Sequence, residues 1–395
     1  MSPSIHDPGR GHDFTVRVLY VIDSLAPGGA EASLVALARL YPARGIDLEV
    51  ASLYERPGLQ EALQATGARL TSLAGPGGRI ATIRRAVTLV RRRRPELVHT
   101  TLFEADLAGR VAAASARVPV VSSLVSVAYG PAERREPGIR PSRLLAAQGA
   151  DVATARLVRR FHAVSHHVAE VMAPRLLVAR SRMEVVPRGR DPQTLGTRTP
   201  ARTTAARGML GAGGRDRLLL AVARQEYPKG LDVLLRALPL VRSEIADARL
   251  VVAGSEGNQS AVLQALAREL DLGDAVTFLG PRPDVADLLC AADVFVLPTR
   301  REGFPGAVLE AMALEVPIVA TTIPAVSEAV VAGEHALLVP PDDPAALAGA
   351  VVASLNSPQA SRRRVEAALA RFHAHFTIER AADGMARFYE AALSS

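Results

Sequence analysis

The sequence has few cysteines, few lysines and few aromatic side chains, and each shortage narrows what the protein can be. Cys290 is the only cysteine in 395 residues, so no disulfide can form within the chain and a reducing cytoplasm is the expected location. Aromatic residues make up 4%, and no recognition motif accompanies them, which argues against a nucleic-acid partner. No apolar run approaches the ~18 residues of a membrane-spanning helix. Residues 1–13 are polar and do not resemble a signal peptide.

Charge is distributed unevenly along the chain. Residues 1–190 contain 27 basic and 16 acidic side chains, whereas residues 191–395 contain 20 and 24. A basic first half favours an anionic partner, either an acidic acceptor or the inner face of a membrane. The run from Arg91 to Arg94 ends an expected amphipathic helix, where cations suit the helix dipole, and contact with anionic lipid is the alternative interpretation.

Short apolar runs alternate with helix-like segments through both halves of the chain, which is typical of parallel sheets with crossover helices. In the first half, strands are predicted over residues 14–23, 47–54, 68–73, 97–100, 119–123, 161–164 and 183–187. In the second half, they are predicted over residues 218–223, 249–253, 276–279, 294–297, 316–320 and 336–339. We therefore expect an α/β protein with two Rossmann-like, doubly wound domains that face a cleft, where ligands bind beyond the carboxyl ends of the strands.

Composition suggests where these domains begin and end. The first domain is expected over residues 1–190, with a loose tail at 1–13 and a mobile surface loop at 131–142 that is charged and rich in Pro and Gly. Residues 191–214 are rich in Thr, Pro, Ala, Arg and Gly without a clear period, so we place the domain junction there, as a linker or loop. The second domain is expected over residues 215–373, followed by a helical end at 374–395.

The stretch from Arg300 to Thr321 is the centre of the functional argument. Glu302 lies in a tight loop after a strand, Pro305 suits the first position of a helix, and Glu310 follows about two turns into that helix. Eight helical residues span roughly 12 Å, about the reach of a nucleotide sugar from hexose to ribose. The helix start can meet a diphosphate, and each carboxylate can accept hydrogen bonds from sugar hydroxyls. Alternatively, Glu302 and Glu310 are ordinary loop and surface residues without a functional role.

Lys229 is the only lysine, whereas the other 46 basic residues are arginines. A compact ammonium kept at one position suggests a point charge for a phosphate group. Lys229 follows a strand and precedes a helix, with Arg224 five residues earlier. Together they could neutralise a diphosphate leaving group as its charge develops. The other explanation is that this single lysine has remained at a helix start by chance and has no functional role.

Gly28 and Gly29 follow the first strand and open a helix, so their backbone could approach an anionic ligand closely. An ordinary turn would use the same residues. The segment lacks the Gly-x-Gly-x-x-Gly spacing of dinucleotide folds, which argues against a dehydrogenase. No cluster has the spacing of metal ligands, and no serine-nucleophile elbow is present, so we expect no bound metal and no serine hydrolase.

Three histidines could belong to a site. His99 ends a strand and either faces the cleft or plays a structural part. His166 and His167 begin a helix after Ser165, where a solvated helix end is the simpler interpretation.

With these residues in hand, the chain resembles the retaining glycosyltransferases of the GT-B fold, and more closely their fourth sequence family. The hallmark of that family is two glutamates separated by seven residues, here Glu302 and Glu310. Further similar blocks are the stretches 28–31, 293–299 and 333–343. The resemblance implies that the second domain binds a nucleoside-diphosphate sugar, such as a UDP- or GDP-sugar, without a metal or other cofactor. It also implies that the final helix crosses back onto the first domain.

The resemblance assigns roles residue by residue. Glu302 would hold the donor hexose, and Glu310 the ribose. The diphosphate would be gripped by the cations Arg224 and Lys229 and by the helix start, which comprises Phe304, Pro305, Gly306 and Ala307. Glu302, Lys229 and Arg224 are the expected catalytic group, and the glycines at 28 and 29 belong to the donor side.

Departures from the family pattern fall mainly on the acceptor side. The family usually has a His or similar polar group after the strand at 119–123, where this chain has the run Ser122 to Val127, including Ser126. Arg188-Gly189 replaces a usual Asn-Gly, and Glu315 replaces a common Gly. The candidate acceptor-side residues are therefore His99, Ser126, His166 and Arg188.

The expected activity is transfer of a hexose from a nucleotide sugar to an acceptor hydroxyl with retention of anomeric configuration. The acceptor would be a glycan, a glycolipid or a small metabolite. Two alternatives remain open at this point: a sugar-nucleotide epimerase of the same fold, and a non-catalytic partner subunit that binds donor without turnover.

Overall fold

A computed structural model describes residues 15–134, 136 and 138–394, apart from the side chain of residue 132. The tail expected at residues 1–13 lies outside these ranges, as does Phe14 of the first predicted strand.

The first domain is built on a seven-stranded parallel sheet with the order β3-β2-β1-β4-β5-β6-β7. Its strands are β1 (Val16–Ile22), β2 (Ile46–Ser52), β3 (Arg69–Ser72), β4 (Leu97–Thr101), β5 (Val120–Leu124), β6 (Arg160–Ala163) and β7 (Met183–Val185). Its helices are α1 (Gly29–Ala38), α2 (Gln60–Gln64), α3 (Gly78–Arg93), α4 (Phe103–Ala116), α5 (Pro131–Arg134), α6 (Pro141–Ala155) and α7 (His166–Arg175). Every residue of β4 and β5 is buried, because helices cover both faces of the sheet.

The second domain repeats the plan with six parallel strands in the order β10-β9-β8-β11-β12-β13. Its strands are β8 (Arg217–Val222), β9 (Ala248–Ala253), β10 (Val276–Gly280), β11 (Val294–Leu297), β12 (Ile318–Thr321) and β13 (Leu337–Val339). Helices from the junction onward are α8 (Pro192–Leu195), α9 (Pro200–Met209), α10 (Leu231–Glu244), α11 (Ser260–Glu269), α12 (Val285–Ala291), α13 (Gly306–Ala313), α14 (Pro324–Ala329), α15 (Pro344–Asn356), α16 (Pro358–His375) and α17 (Ile378–Leu393). The prediction of two doubly wound parallel domains is confirmed.

Strand order fixes where ligands can bind. The order reverses between β1 and β4 in the first sheet and between β8 and β11 in the second. At such reversals the loops after neighbouring strands part and leave a crevice at the carboxyl edge. The loops after β1, β8 and β11 carry the Gly28-Gly29, Lys229 and Glu302 segments respectively.

The linker or loop predicted at residues 191–214 is instead largely helical, because α8 and α9 occupy much of this range. The Asp191 side chain accepts a hydrogen bond from the Gln193 amide, and the Thr199 side chain accepts one from the Arg202 amide. Each cap is followed by a proline at the first helical position, which is a start signal that the biased composition concealed. Arg202 then pairs with Asp287 of α12 at 2.6 Å.

The surface loop expected at residues 131–142 is also partly wrong. Residues 131–134 form the short helix α5, and α6 already begins at Pro141. Glu133 is buried, and its carboxylate lies 2.8 Å from the guanidinium of Arg301 in the second domain. A contact between residues so distant in sequence leaves no periodic signal.

Helix α17 packs on the first domain rather than the second. Phe388 and Tyr389 are buried in the apolar cluster of β1 and α1, which includes Tyr20 and Leu34. Just before α17, the backbone of Arg190 accepts a hydrogen bond from Ile378 and donates one to Phe376. The end of the described chain thus ties the two domains together.

Candidate functional site

Lys229 and Glu302 form the centre of the site. Lys229 ends a 3-10 turn over Tyr227–Lys229 directly after β8, and Glu302 lies in the loop between β11 and α13. The Lys229 Nζ and Glu302 Oε1 atoms are 2.6 Å apart, and both side chains are only partly exposed. Gly230 makes this approach possible, because it has a φ of 63° and a Cβ there would collide with the Pro298 carbonyl oxygen.

Helix α13 begins beside this pair. Pro305 is its N-cap and provides no side-chain cap, and the N–H groups of a first helical turn have no partner within the helix. Gly306 and Ala307 are partly exposed there and can present those groups to an anion. Phe304 is buried against Phe376, with ring centroids 5.6 Å apart, so its side chain cannot line the site. Pro305 has no N–H, and its contribution is to start the helix.

Glu310 lies further along α13 and is paired with an arginine from the first domain. The Arg190 Nε and Glu310 Oε1 atoms are 2.6 Å apart. The same guanidinium covers the start of α13, because a Cβ on Gly306 would collide with its Nη2 atom. Sequence reasoning missed Arg190. The signal that could have found it is the pair of arginines at 188 and 190, directly after β7 and before the next helix.

Gly28 and Gly29 lie across the cleft at the start of α1, and each is crowded by a charged side chain. A Cβ on Gly28 would collide with the Glu31 carboxylate, and one on Gly29 would lie 2.6 Å from Arg188 Nη1. Burial raises the pKa of Glu31, while the charges of Arg224 and Arg188 act in the opposite direction. Burial lowers the pKa of the Arg188 guanidinium to about 10. This part of the site therefore holds two charged groups that are poorly solvated.

Arg224 occupies a more exposed position than Lys229. Its guanidinium pairs with Glu226 at 2.9 Å, and 57% of the side chain is exposed. Its positive charge opposes the rise in pKa that burial causes at Glu31 of the first domain. The three residues expected to act together are thus not equivalent: Lys229 contacts Glu302 directly, and Arg224 does not contact either.

The loop that carries Glu302 is in contact with the first domain. Ser165 Oγ donates a hydrogen bond of 2.8 Å to the Gly303 carbonyl, and a Cβ on Gly303 would collide with the backbone of Val125 and Ser126. Ser126 is exposed at this contact. The His166 amide donates to Glu328 in α14, and the His166 side chain is exposed. Both residues therefore lie at the domain boundary.

His99 does not face the cleft, because it is buried beneath α17. Its Nδ1 atom lies 2.7 Å from the Tyr389 hydroxyl, and its Nε2 atom 2.7 Å from Ser123 Oγ, which in turn contacts His162 Nδ1. His162 Nε2 donates to the Val186 carbonyl, and this fixes the direction of the other hydrogen bonds in the series. Tyr389 therefore donates to His99, His99 to Ser123, and Ser123 to His162. Of the two readings of His99, the structural one applies.

The residues that the structure describes include no group of three or more His, Cys, Asp and Glu side chains that could hold a metal ion. None of their helices is both long enough and apolar enough to cross a membrane.

A cavity of about 500 Å³ lies at the amino-terminal edge of the second sheet, near Arg217, Asp293 and Pro317. That edge is opposite to the Lys229–Glu302 pair, so the cavity is not part of the site.

Two family profiles match the chain, one for each domain. Residues 27–194 match the family described as Glycosyltransferase Family 4, and residues 216–357 match the one described as Glycosyl transferases group 1. Between them the two matches include both glycines of the first loop and all of the acidic and basic residues discussed on the second domain.

Named relatives agree with these matches. A glycogen synthase from Mycobacterium tuberculosis is 37% identical over 176 residues, which is 44% of this chain and 42% of that protein. The chain thus aligns with less than half the length of that relative. A D-inositol 3-phosphate glycosyltransferase from Acidothermus cellulolyticus is 28% identical over 389 residues, covering 89% of this chain and 84% of the relative.

Solved structures share the fold over nearly the whole chain. Anabaena HepE in complex with UDP-glucose superposes with a TM-score of 0.83 and 21% identity, covering 95% of this chain and 99% of the other. Sucrose-phosphate synthase from Thermosynechococcus elongatus gives a TM-score of 0.79 and 21% identity, covering 96% and 99%. At such identities the similarity concerns the GT-B architecture alone.

Proposed function

Because the chain belongs to the group 1 and family 4 glycosyltransferases, we propose that it transfers a hexose from a UDP- or GDP-sugar to an acceptor hydroxyl, with retention of anomeric configuration. One observation carries this proposal: the 2.6 Å contact of Lys229 with Glu302 at the start of α13, with Glu310 on the same helix. A cation and a carboxylate thus lie beside a helix start at the reversal point of the second sheet, and a second carboxylate lies further along that helix.

Donor binding would reorganise the two ion pairs. The diphosphate would lie at the start of α13, where the helix dipole and the Lys229 ammonium both favour negative charge. Glu302 would then accept hydrogen bonds from hydroxyls of the hexose, and Glu310 from those of the ribose. Arg224 is more exposed and would add a second positive charge at the cleft side of the diphosphate.

The chemical step follows from where charge develops. The bond between the anomeric carbon and the diphosphate oxygen breaks, and its electron pair stays on that oxygen. The acceptor oxygen bonds to the same face of the sugar, and its proton passes to the departing phosphate. The nucleoside diphosphate and the new glycoside are the products. Lys229 and Arg224 accelerate the step because they stabilise the negative charge that forms on the leaving group.

The comparisons support the donor class but leave the acceptor open. Anabaena HepE has been crystallised with UDP and with UDP-glucose, which favours a nucleotide-sugar donor for a chain of the same fold. We propose a glycan, a glycolipid or a small metabolite as acceptor. Helix α3 carries exposed arginines near its C-terminal end, Arg91 to Arg93, and these would suit peripheral contact with an anionic membrane.

The test is release of nucleotide from a panel of UDP- and GDP-hexoses, with and without acceptors. We expect turnover by the wild-type chain and its loss in Lys229→Ala and Glu310→Ala, and an anomeric configuration in the product equal to that of the donor. Failure to bind or cleave any nucleotide sugar would overturn the proposal. Conversion of the donor sugar without an acceptor would indicate an epimerase, and donor binding without turnover a partner subunit.

A further inference from the structure

Arg188 and Arg190 follow β7 and lie two residues apart, but their side chains have different surroundings. Arg190 is neutralised within the protein, since its guanidinium pairs with Glu310 at 2.6 Å and also donates to the Gly189 carbonyl. Arg188 forms neither an ion pair nor a hydrogen bond with any residue that the structure describes. The two side chains are chemically identical, so the contrast arises from what lies opposite each of them.

Arg188 lies against the first domain. Its Nη1 atom would be 2.6 Å from a Cβ on Gly29, so the guanidinium fits over this residue because glycine has no side chain. Helix α1 begins here, and its N-cap Gly28 offers no side-chain cap. The Ala30 and Glu31 amides instead interact with the Glu31 carboxylate and oppose the rise of its pKa. The Glu31 carboxylate lies on the Gly28 side of the same turn. The Gly29 side therefore holds a cation that no carboxylate contacts.

The electrostatic balance around Arg188 agrees with this geometry. Burial and, after it, the charge of Arg190 lower the pKa of Arg188, whereas Glu302 and Glu31 oppose that shift from a distance. Glu302 is already in contact with Lys229. A partly buried cation without a partner is costly, and such a group is stabilised when an anion enters beside it.

We propose that Arg188 binds an anionic group of the acceptor substrate, a phosphate monoester or a carboxylate close to the hydroxyl that receives the sugar. This inference rests on the proposed glycosyltransferase function and narrows its acceptor class. The planar guanidinium suits bidentate contact with either anion. The donor diphosphate already has Lys229, Arg224 and the start of α13 on the second domain. Arg188, by contrast, lies over the loop of the first domain.

Binding experiments can tell whether Arg188 binds the diphosphate of the donor or an anionic group of the acceptor. UDP is first titrated into the wild type and Arg188→Ala by calorimetry. Inorganic phosphate is then titrated into each UDP-saturated protein at constant ionic strength. We expect similar UDP affinities, phosphate binding by the wild type, and at least ten-fold weaker phosphate binding by Arg188→Ala. Arg236→Ala removes an exposed charge of α10 and should bind phosphate as the wild type does, which controls for net charge.

Activity with paired acceptors gives a second readout. Glycerol and glycerol 3-phosphate form one pair, and myo-inositol and D-inositol 3-phosphate form another, each differing by one phosphate. For any pair that reacts, we expect Arg188→Ala to raise KM for the phosphorylated member at least ten-fold and to leave the neutral member within two-fold. Arg188→Lys keeps the charge without the planar fork and should fall between Arg188→Ala and the wild type.

Each outcome has a definite meaning. Loss of UDP affinity in Arg188→Ala with unchanged phosphate binding would assign Arg188 to the donor and overturn the acceptor role. Equal phosphate binding by the wild type and Arg188→Ala, or none by the UDP-saturated wild type, would also overturn it. If the wild type bound no nucleotide at all, the proposed function itself would fail, and this result is distinct from the others.

Discussion

The two sides of the cleft take their candidate residues from the chain in different ways. On the second domain, Glu302 and Glu310 come from one loop and the helix that follows it. On the first domain, the candidates come from several strand ends, and their directions differ: His99 points inward, His166 is exposed, and Arg188 lies over the Gly29 loop. The two carboxylates of the donor side come from one continuous segment and keep their spacing whenever that segment folds, whereas Lys229 reaches Glu302 from the loop after β8. A site made by several segments depends on how the whole domain packs.

The most direct way to break the donor side is to remove the Lys229 charge. In Lys229→Ala the developing charge on the diphosphate loses its closest cation, so we expect kcat to fall by about 100- to 1,000-fold. Arg236→Ala removes an exposed charge from α10, the next helix, and should retain activity. Equal turnover by Lys229→Ala and the wild type in a steady-state assay would contradict the assignment.

Glu310 tests whether both sides contribute to donor binding. Glu310→Gln removes a charged acceptor for the ribose hydroxyls and also leaves Arg190 without its partner. A hydrogen bond to a charged group contributes about 1.5–3 kcal/mol, so UDP affinity measured by calorimetry should fall about 10- to 100-fold. Glu269→Gln, on the exposed face of α11, is the control.

The same variant allows a double-mutant cycle with Arg190→Ala. If Arg190 acts only through Glu310, adding Arg190→Ala to Glu310→Gln should weaken UDP binding no further. A fully additive loss would mean that Arg190 contacts the nucleotide by itself, and the contrast between Arg188 and Arg190 would then need revision.

Gly303 tests the contact between the two sides. In Gly303→Ala the new Cβ would collide with the Val125 backbone, so we expect the free energy of unfolding in urea to fall by about 1–3 kcal/mol. Gly306→Ala is the matched control, because the atoms nearest to its Cβ belong to the flexible end of the Arg190 side chain rather than to backbone. Equal stability of the two variants would show that the loop is not held against the first domain.

The buried histidines test the structural reading of the first domain through pH. Burial lowers the pKa of His162 to about 4, and it also lowers the pKa of His99. Between pH 6.5 and 4 the unfolded chain therefore binds protons that the folded chain does not, so stability falls as pH falls through this range. Each such histidine contributes a slope of at most ~1.4 kcal/mol per pH unit. Urea unfolding of His162→Gln should show a shallower slope, and an unchanged slope would contradict the burial of a neutral His162.

The sheets and the donor segment could be predicted because their signals are local. Apolar runs with turn residues between them revealed the strands, and the run from Glu302 to Glu310 includes its own loop, helix start and spacing. The segment from Glu302 to Glu310 also resembles a family pattern, and that resemblance assigns functional roles to its residues that periodicity alone does not indicate. Even so, the burial of the Phe304 side chain required Phe376, which comes from a distant helix.

The remaining features depend on contacts between distant residues. Arg190 lies 120 residues from Glu310 in sequence, and nothing near either residue indicates that they meet. The burial of His99 depends on Tyr389 of α17, which is 290 residues away in sequence. Helix α9 differs from these cases, because its start signal, Thr199 followed by Pro200, is local and is obscured only by the biased composition around it.

The placement of α17 has a consequence for synthesis on the ribosome. Phe388 and Tyr389 complete the apolar cluster around Tyr20, yet they are translated only after the entire second domain. Until then the nascent first domain has an uncovered apolar face, which a chaperone could shield. The final folding step of the first domain must therefore wait until α17 has been translated, so the order of translation and the order of folding differ in this chain.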